Sequence, residues 1–255
     1  MRLPVPAMQA ALAALFLGAW QGASASGLAD PDLLPPFSQV AATAARLLLD
    51  PLFLANAGDT LLRVVTAFLI GAPLAVSFGL FVAERSRLEG LVSPVFHFIM
   101  AVPQSIFLPI FIFLFGIGFG QKVIYGITHI LFVVTVTSIA AAKQVPASYV
   151  VAARSFGWGE ADIYRRVYLP AMAPVIATGL RLGLIFNIIG VLLAEMYASR
   201  SGLGVLIFRW GESADSRKTM AAIFIVSCTT ILANEMMRLF ERRVAGWRQA
   251  MDRDG

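Results

Sequence analysis

Five apolar stretches, each about as long as a membrane-crossing helix, limit what this chain can fold into. A bilayer core about 30 Å thick needs about 20 apolar residues per helix. Each stretch is bounded by charged residues or by Gly and Pro, and they lie near residues 61–83, 91–115, 123–142, 174–195 and 220–240. The sequence therefore predicts an all-α membrane protein.

The composition agrees with a membrane protein and argues against a nucleic-acid partner. Hydrophobic residues make up 58% of the chain and charged residues 14%, whereas soluble domains hold roughly 45 to 50% and 25%. The net charge of +5 comes from Lys and Arg scattered among loops, without the basic clusters typical of nucleic-acid binding. Cys228, the single cysteine, lies in an apolar run, and we expect it to be a small buried side chain.

Residues 1–26 form either an N-terminal membrane anchor or a signal-like segment. Arg2 precedes a short apolar centre, and Ala23 and Ala25 form the Ala-x-Ala pattern of a signal-peptidase site. Trp20 suits the membrane interface and favours a retained anchor. Retention gives six spans and cleavage gives five. In both cases residues 27–60 form an external segment.

The distribution of basic residues orients the chain, because cytoplasmic loops of membrane proteins carry an excess of Lys and Arg. With the N-terminus inside, twelve Lys and Arg fall in inner segments and seven in outer segments, and Arg181 lies within a span. The Arg-rich segment at 241–255 supports this orientation as a cytoplasmic tail. Residues 146–170 are therefore predicted to face the cytoplasm.

Between the third and fourth apolar stretches the sequence predicts two short helices joined by a sharp turn. The helices are expected at residues 147–156 and 160–167, and glycines in Gly157-Trp158-Gly159 permit the change of direction. Pro170 and Pro174 suit the first turn of the next helix, where a missing N–H costs nothing. The segment is thus predicted to lie across the membrane surface and to join the next span rigidly.

A spaced motif lies in this segment: "AARSFG", then nine residues, then "VYLP". It resembles the EAA loop of ATP-binding-cassette (ABC) importer permeases, which has Glu-Ala-Ala, three residues, Gly, nine residues and Ile-x-Leu-Pro. Further stretches are similar to the nitrate, sulfonate and taurine branch of these permeases, namely "TLLRVVTAFLIGAPLAVSFGL", "VPQSIFLPIFIFLFGIGFGQK", "GLRLGLIFNIIGVLLAEM" and "SGLGVLI". The resemblance covers residues 34–247.

The resemblance implies a bundle of five to six transmembrane helices with the type I ABC importer permease (MetI-like) fold. Residues 61–240 would form the permease domain, with a coupling loop at 146–170. The chain would form the path of a small solute across a bacterial inner membrane. Its implied partners are an ABC ATPase dimer, an extracytoplasmic solute-binding protein, a second permease copy and membrane lipid.

The sequence contains no Gly-x-x-x-x-Gly-Lys-Ser/Thr loop, which is the motif that cradles ATP phosphates in P-loop proteins. We therefore expect a transport subunit that is not an enzyme and binds no cofactor, with ATP and Mg used by the partner ATPase. The alternative is an intramembrane enzyme or a channel not driven by ATP. The resemblance implies a solute of the nitrate, sulfonate or taurine type, or a related small organic molecule.

The resemblance assigns ATPase coupling to eight positions of the loop: Val151, Ala152, Ala153, Arg154, Gly157, Glu160, Leu169 and Pro170. Val151 stands where the family has an acidic residue that helps to seat the loop on the ATPase, and Trp158 stands in place of an alanine. Glu160 and Asp162 are candidates to compensate for the missing acid. We expect coupling that works but is weaker or differently specific.

Ionisable and kink-forming residues within spans are candidates for the translocation path. Arg181 and Glu195 are 14 residues apart, about 21 Å along one helix, so they cannot pair. Arg181 faces an anion path or extends to the inner surface, and Glu195 has a path or a structural hydrogen-bonding role. Pro103, Gln104 and Ser105 either line a path or form a packed kink.

The remaining motifs predict structural roles. Gly71, Gly79, Gly183 and Gly190 are expected to permit close helix packing. Residues 116–120, "GIGFG", are expected to form a tight outer turn. His97 and His129 lie in separate spans without metal-ligand spacing and predict structural or pore-lining roles.

Overall fold

The computed structural model describes residues 4–251, and side chains are described except for residue 6 and residues 244–251. Residues 1–3 of the predicted anchor and residues 252–255 of the predicted tail lie outside the described part. The described chain is helical and contains no strand. Its α-helices are α1 (Val5–Ala25), α2 (Phe37–Leu47), α3 (Pro51–Ala83), α4 (Ser86–Ala101), α5 (Leu108–Phe115), α6 (Phe119–Lys143), α7 (Ala147–Ser155), α8 (Glu160–Ile163), α9 (Leu169–Ala198), α10 (Leu203–Glu212) and α11 (Ser216–Met251).

The chain divides into two compact units. The first unit comprises residues 1–60 and 200–229, and the second comprises residues 61–199 and 230–255. The first therefore holds α1, α2 and α10, the second holds α4 to α9, and α3 and α11 contribute residues to both.

Four described helices are long and apolar enough to cross a membrane, and a fifth crossing results if one bent helix pair is counted as a span. The four are α3, α6, the continuous segment Glu160–Ala198, and α11 as far as Arg243. The prediction of five spans is confirmed at this level. Although α1 is 21 residues long, it is not among these helices, so a sixth span stays a prediction.

The span predicted at 91–115 is not a straight helix. Its two halves, Ser86–Ala101 and Gln104–Phe115, meet at an angle of 90°. Between them Val102 adopts an extended conformation, because a residue before proline is disfavoured in the α region. Pro103 then starts a 3₁₀ turn, Gln104–Phe107, that leads into α5. The proline interruption therefore reorients the whole segment.

Close approach of helices within the second unit depends on glycine, as the sequence predicts. A Cβ at each of the four predicted positions would lie within 3.1 Å of a residue on a neighbouring helix: Gly71 against Ile130, Gly79 against Ser138, Gly183 against Val134 and Gly190 against His129. Any larger side chain would push the helices apart. This confirms the packing role.

Three local predictions have different outcomes. The tight turn after α5 is confirmed, because Gly116 has a φ of 69° and α6 already begins at Phe119. Pro170 lies in the first turn of α9, but Pro174 lies inside that helix, so its predicted place was wrong. Cys228 is exposed and not buried. An apolar residue in a span need not face protein, because lipid tails are equally apolar.

In the first unit, the last turns of α1 are attached to the start of α2. The indole Nε1–H of Trp20 donates to the carbonyl of Pro35 at 3.0 Å, and the Ser24 hydroxyl donates to that of Leu34 at 2.7 Å. The backbone N–H of Ser38 donates to the Gln21 amide oxygen at 3.0 Å. Trp20 is thus held by a backbone partner.

Candidate coupling loop and translocation path

The turn between α7 and α8 is built on Gly157. Its φ of 78° lies in the left-handed region, which a side chain would make unfavourable. The N–H of Gly157 donates to the Arg154 carbonyl at 2.9 Å, and the N–H of Trp158 donates to the Ala153 carbonyl at 3.2 Å. This pair of bonds is the Schellman arrangement that ends a helix. The predicted turn at Gly157 is confirmed.

The two short helices pack on a small core of their own. Val150, Ala153 and Ile163 are buried, and Val167 and Tyr168 pack against them. Ala153 therefore faces inward, whereas Val151 is 62% exposed and Ala152 and Arg154 are also exposed. The loop thus presents one face of α7 outward.

The two acidic residues expected to compensate for Val151 are paired within the loop. An oxygen of Glu160 lies 2.9 Å from Nη2 of Arg154, and an oxygen of Asp162 lies 3.3 Å from Nε of Arg166. The Arg166 guanidinium also lies 5.5 Å from the Trp158 ring centroid. Because all these charged side chains are largely exposed, each ion pair contributes only about 0–1 kcal/mol.

The loop continues into the next span without a break. A π-helical turn, Tyr164–Tyr168, follows α8 directly, and α9 begins at Leu169 with Pro170 in its first turn. The segment Glu160–Ala198 is therefore one 39-residue helix by length and apolar character. At the other end of the loop, Lys143 in the last turn of α6 pairs with Glu89 of α4.

Arg181 has a partner that the sequence alone does not reveal. Its Nε lies 3.0 Å from an oxygen of Glu241 on α11, and the Thr178 hydroxyl lies 2.5 Å from the other oxygen of the same carboxylate. The two charged side chains are 27% and 21% exposed. Arg181 is thus engaged between α9 and α11.

Glu195 is fully buried and forms an ion pair with Arg63 of α3, at 2.6 Å between Oε1 and Nη1. The structural role considered for Glu195 therefore has a geometric basis. Arg63 and Lys122 are two of the seven basic residues that the sequence assigns to the outer side, but both lie within helices and are buried, with 6% and 1% exposure. A basic residue near the end of an apolar stretch can face outward or into the protein, and the sequence does not show which.

Lys122 connects the ends of two helices. Its ammonium donates to the carbonyl of Ile117, just after α5, at 2.5 Å, and also to the carbonyl of Ala198, the last residue of α9. A cation at a helix C-terminus is favourable because the carbonyl groups there carry partial negative charge. The charge of Lys122 also interacts with Arg63 and Glu195. We define these three residues as the buried charge cluster.

Pro103, Gln104 and Ser105, the residues of the helix kink, are only partly buried. The backbone carbonyl of Gln104 accepts a hydrogen bond from the Tyr125 hydroxyl at 3.0 Å, which satisfies a group that the proline interruption frees. Pro103 and Ser105 are exposed and Gln104 is half-buried. The side-chain Oε1 of Gln104 is buried and has no hydrogen-bond partner among the described residues. Gln104 is thus the best placed of the three for a polar path.

The sequence also misses two side chains that cap α10. The N–H of Gly202 donates to Oδ1 of Asn56 at 2.7 Å, and the N–H of Leu203 donates to the Thr60 hydroxyl oxygen at 2.8 Å. Gly202 has a φ of 116°, which explains the glycine in "SGLG". Asn56 and Thr60 are four residues apart on α3, a spacing that places both on one face.

Neither histidine belongs to a cluster of potential metal ligands in the described chain. His97 contacts the carbonyl of Ser93 at 2.6 Å, and His129 contacts that of Tyr125 at 2.9 Å. Among the described residues no group of three or more His, Cys, Asp or Glu is arranged to hold a metal ion. Both imidazoles are accounted for by contacts to their own helices.

The family match and similar curated relatives agree on one family for this chain. Residues 71–246 match the family described as "Binding-protein-dependent transport system inner membrane component". The putative aliphatic sulfonates transport permease protein SsuC of Bacillus subtilis is 27% identical over 94% of this chain and 87% of its own length. The taurine transport system permease protein TauC of Escherichia coli is 28% identical over 92% and 87%.

One further relative carries a different solute name, and solved structures share the fold. The formylaminopyrimidine transport permease protein ThiX of Halalkalibacterium halodurans is 25% identical over 89% of this chain and 90% of its own length. An inward-facing structure of the MetNI methionine ABC transporter has a TM-score of 0.59 and 19% identity over 73% of this chain and 91% of its matched chain. At that identity, the likeness shows the fold alone.

Proposed function

Because the chain belongs to the family of inner membrane components of binding-protein-dependent transport systems, we propose that it moves a small solute across the membrane in a complex driven through residues 146–170. The chain is the membrane-spanning permease of an ABC importer, a class of transporter that includes an ATPase and a solute-binding protein. We further propose that it lies in a bacterial inner membrane and acts as a homodimer.

The observation that carries the coupling role is the continuity of the loop with a span. The turn at Gly157 is fixed by two backbone hydrogen bonds, and Glu160 to Ala198 is continuous. Force applied to the loop is therefore passed directly to α9. Phe156 is 80% exposed and Val151 62%, so the loop offers apolar side chains to a partner. The partner ATPase supplies the ATP- and Mg-dependent step.

Two copies of the permease would give each ATPase subunit one loop. A twofold axis relates the two loops by the same rotation that relates the two ATPase subunits. ATP binding then favours one arrangement of the pore, because the partner contacts the two loops differently in the outward-facing and inward-facing states. In this arrangement Gln104 and Ser105 of the kink are the path candidates with polar groups.

We propose a small anion, of the sulfonate or taurine type, as the solute, with a related small organic molecule as the wider class. The names of SsuC and TauC support this, whereas the name of ThiX supports the wider class. The buried charge cluster is engaged in contacts within the protein, between Arg63 and Glu195 and between Lys122 and backbone carbonyls, so the names of the relatives carry this part of the proposal.

The rival function, an intramembrane enzyme or a channel not driven by ATP, is not favoured. An intramembrane hydrolase requires a nucleophile, a base and an orienting group in mutual contact. In the described chain, Nδ1 of His129 contacts a backbone carbonyl, and Glu195 is paired with Arg63. The family match over residues 71–246 supports the transporter instead.

The test is co-purification of the tagged permease from membranes, with the partners identified by mass spectrometry. We expect a P-loop ATPase and an exported binding protein, and the ligand of that binding protein identifies the solute. Phe156→Ala should lower ATPase recovery, whereas Phe113→Ala, which removes a ring that is 93% exposed in α5, should not. Recovery of neither protein would contradict the proposal.

A further inference from the structure

A charged cleft lies in the first unit and has no role in the proposed transport mechanism. It is lined by Thr43, Arg46 and Leu47 of α2, by Asp50, and by Asp215, Arg217 and Lys218 at the start of α11. Its volume is about 430 Å³, which is large enough for a phosphate group with its glycerol. Three cations and two carboxylates line it.

Both carboxylates already have partners within the protein. Oδ1 of Asp50 accepts the backbone N–H of Leu52 at 2.9 Å, and so caps α3. Asp215 accepts the backbone N–H of Lys218 at 3.2 Å and pairs with its ammonium at 3.0 Å. Burial raises the pKa of Asp215, but the hydrogen bonds and charge of Lys218 and the charge of Arg217 outweigh it and lower that pKa. Asp215 therefore stays ionised and neutralises Lys218.

Arg46 and Arg217 are the cations left to bind a ligand. No hydrogen bond or ion pair of either guanidinium is found among the described side chains, and both residues are exposed. Guanidinium groups bind phosphate in a bidentate manner and lose less hydration than an ammonium. The cleft is thus suited to an oxyanion.

The position of the cleft indicates the source of that oxyanion. Asp50 and Asp215 directly precede α3 and α11, which are both long enough to span a membrane, so the cleft lies at the membrane surface, on the predicted outer side. Trp210 lies beneath Lys218, 5.9 Å from its ammonium, and tryptophan is enriched at this depth.

Three leucines that neighbour the lining residues Leu47 and Asp50 in the sequence are exposed and available to acyl chains. Leu48, Leu49 and Leu52 are 51%, 83% and 65% exposed, although they flank Asp50 in the sequence. A free anion has no use for such a patch, and an acidic protein surface would leave it in contact with water. We propose that the cleft binds the phosphate of an anionic phospholipid, with Arg46 and Arg217 as its ligands and these leucines against the acyl chains.

The test uses the full-length permease, purified without partners and placed in nanodiscs of phosphatidylcholine with a fixed share of phosphatidylglycerol. Retained lipids are counted by native mass spectrometry. Each basic residue at a membrane surface contributes about 1 kcal/mol, so Arg46→Gln and Arg217→Gln should each weaken phosphatidylglycerol retention about fivefold. Arg209→Gln, which removes an exposed arginine of α10 outside the cleft, should leave retention unchanged.

Three results would overturn the proposal. The first is equal retention of phosphatidylglycerol and phosphatidylcholine, or the same retention in all three variants. The second is displacement of the lipid by millimolar inorganic phosphate, which indicates a site for free oxyanions. The third is that the Arg46 and Arg217 variants retain phosphatidylglycerol as the unmodified permease does, but no longer co-purify with the exported binding protein. If the Gln variants fail to fold, Arg46→Lys and Arg217→Lys replace them: they keep the charge but lose the bidentate guanidinium contact, so phosphatidylglycerol retention should still fall, and unchanged retention would overturn the proposal.

Discussion

The coupling loop and the buried charge cluster are both built on Arg–Glu pairs, but in opposite surroundings. In the loop, the pair of Arg154 and Glu160 is 60% and 78% exposed. In the cluster, the pair of Arg63 and Glu195 is 8% and 0% exposed. Water and salt weaken the first pair, whereas loss of one partner in the second leaves the other charge buried without that partner.

The difference separates two tasks within one permease. The loop is suited to surface contacts. Its ion pairs are weak, its turn is fixed by backbone hydrogen bonds, and its exposed apolar side chains remain available to a partner. The cluster connects α3, α6 and α9 through groups that no partner can reach. Substitutions should therefore act on stability in the cluster and on coupling in the loop.

The largest expected effect is loss of one charge from the cluster. Glu195→Gln removes the carboxylate that lies 2.6 Å from the buried Arg63 guanidinium, and we expect a loss of about 3–5 kcal/mol of unfolding free energy. Thermal or denaturant unfolding in detergent measures it. The double variant Arg63→Met with Glu195→Met should recover part of the loss, because both charges of the pair are removed and Lys122 keeps its bonds to the carbonyls of Ile117 and Ala198. An additive double variant would show that the two residues act independently.

Crowding in the helix bundle should have the next largest effect. The Cβ of Gly190→Ala would lie 2.7 Å from Nδ1 of His129, so the substitution should lower the unfolding free energy by about 1–3 kcal/mol. Gly90→Ala is the matched control, since its Cβ meets nothing within 4 Å. In a helix interior this control should stabilise by about 0.5–1 kcal/mol. Equal shifts of the melting temperature would contradict the packing role.

Breaking the exposed pair in the loop should have a small effect. Arg154→Ala and Glu160→Ala should each lower the unfolding free energy by about 0–1 kcal/mol, and less at high salt because the pair is exposed. The same unfolding assay at low and high ionic strength measures the effect. A loss as large as that of Glu195→Gln would mean that the loop pair is not the surface interaction inferred here.

The smallest effect on stability is expected at Val151. Because its side chain is 62% exposed, Val151→Glu should change the unfolding free energy by less than about 0.5 kcal/mol. Transport-coupled ATPase activity of the reconstituted complex should stay the same or rise, since the substitution restores the acid that the resemblance assigns to this place. Abolished coupling with unchanged stability would contradict this expectation.

Features that depend on local sequence could be predicted, because their causes are local. Runs of apolar residues predicted the spans, and Gly157 predicted the turn between the two loop helices. Pro103 predicted an interruption of the helix, but the sequence did not predict that the two halves meet at 90°. A proline shows where a helix is disturbed, but the packing around it sets the angle.

Features that depend on distant partners could not be predicted. Hydropathy does not show that Arg63 and Lys122 turn inward, because each lies near the end of an apolar stretch where an outward direction is equally possible. The partner of Arg181 is Glu241, 60 residues further along the chain. The capping of α10 by Asn56 likewise joins residues that are far apart in the sequence.

The π-helical turn at Tyr164–Tyr168 places one extra residue between the loop and the membrane helix. A π turn holds about one more residue than an α turn, so removing a single residue there would let the backbone close into a regular α-helix. Because the two kinds of turn complete nearly the same rotation about the helix axis, Val151 and Phe156 would keep nearly the same direction relative to α9. Removing a residue from the regular part of α9 would instead rotate all that precedes it by about 100°, with a shift of about 1.5 Å along the axis. The connection therefore tolerates a change of length at this turn, whereas the same change further along α9 would turn the loop away from its direction.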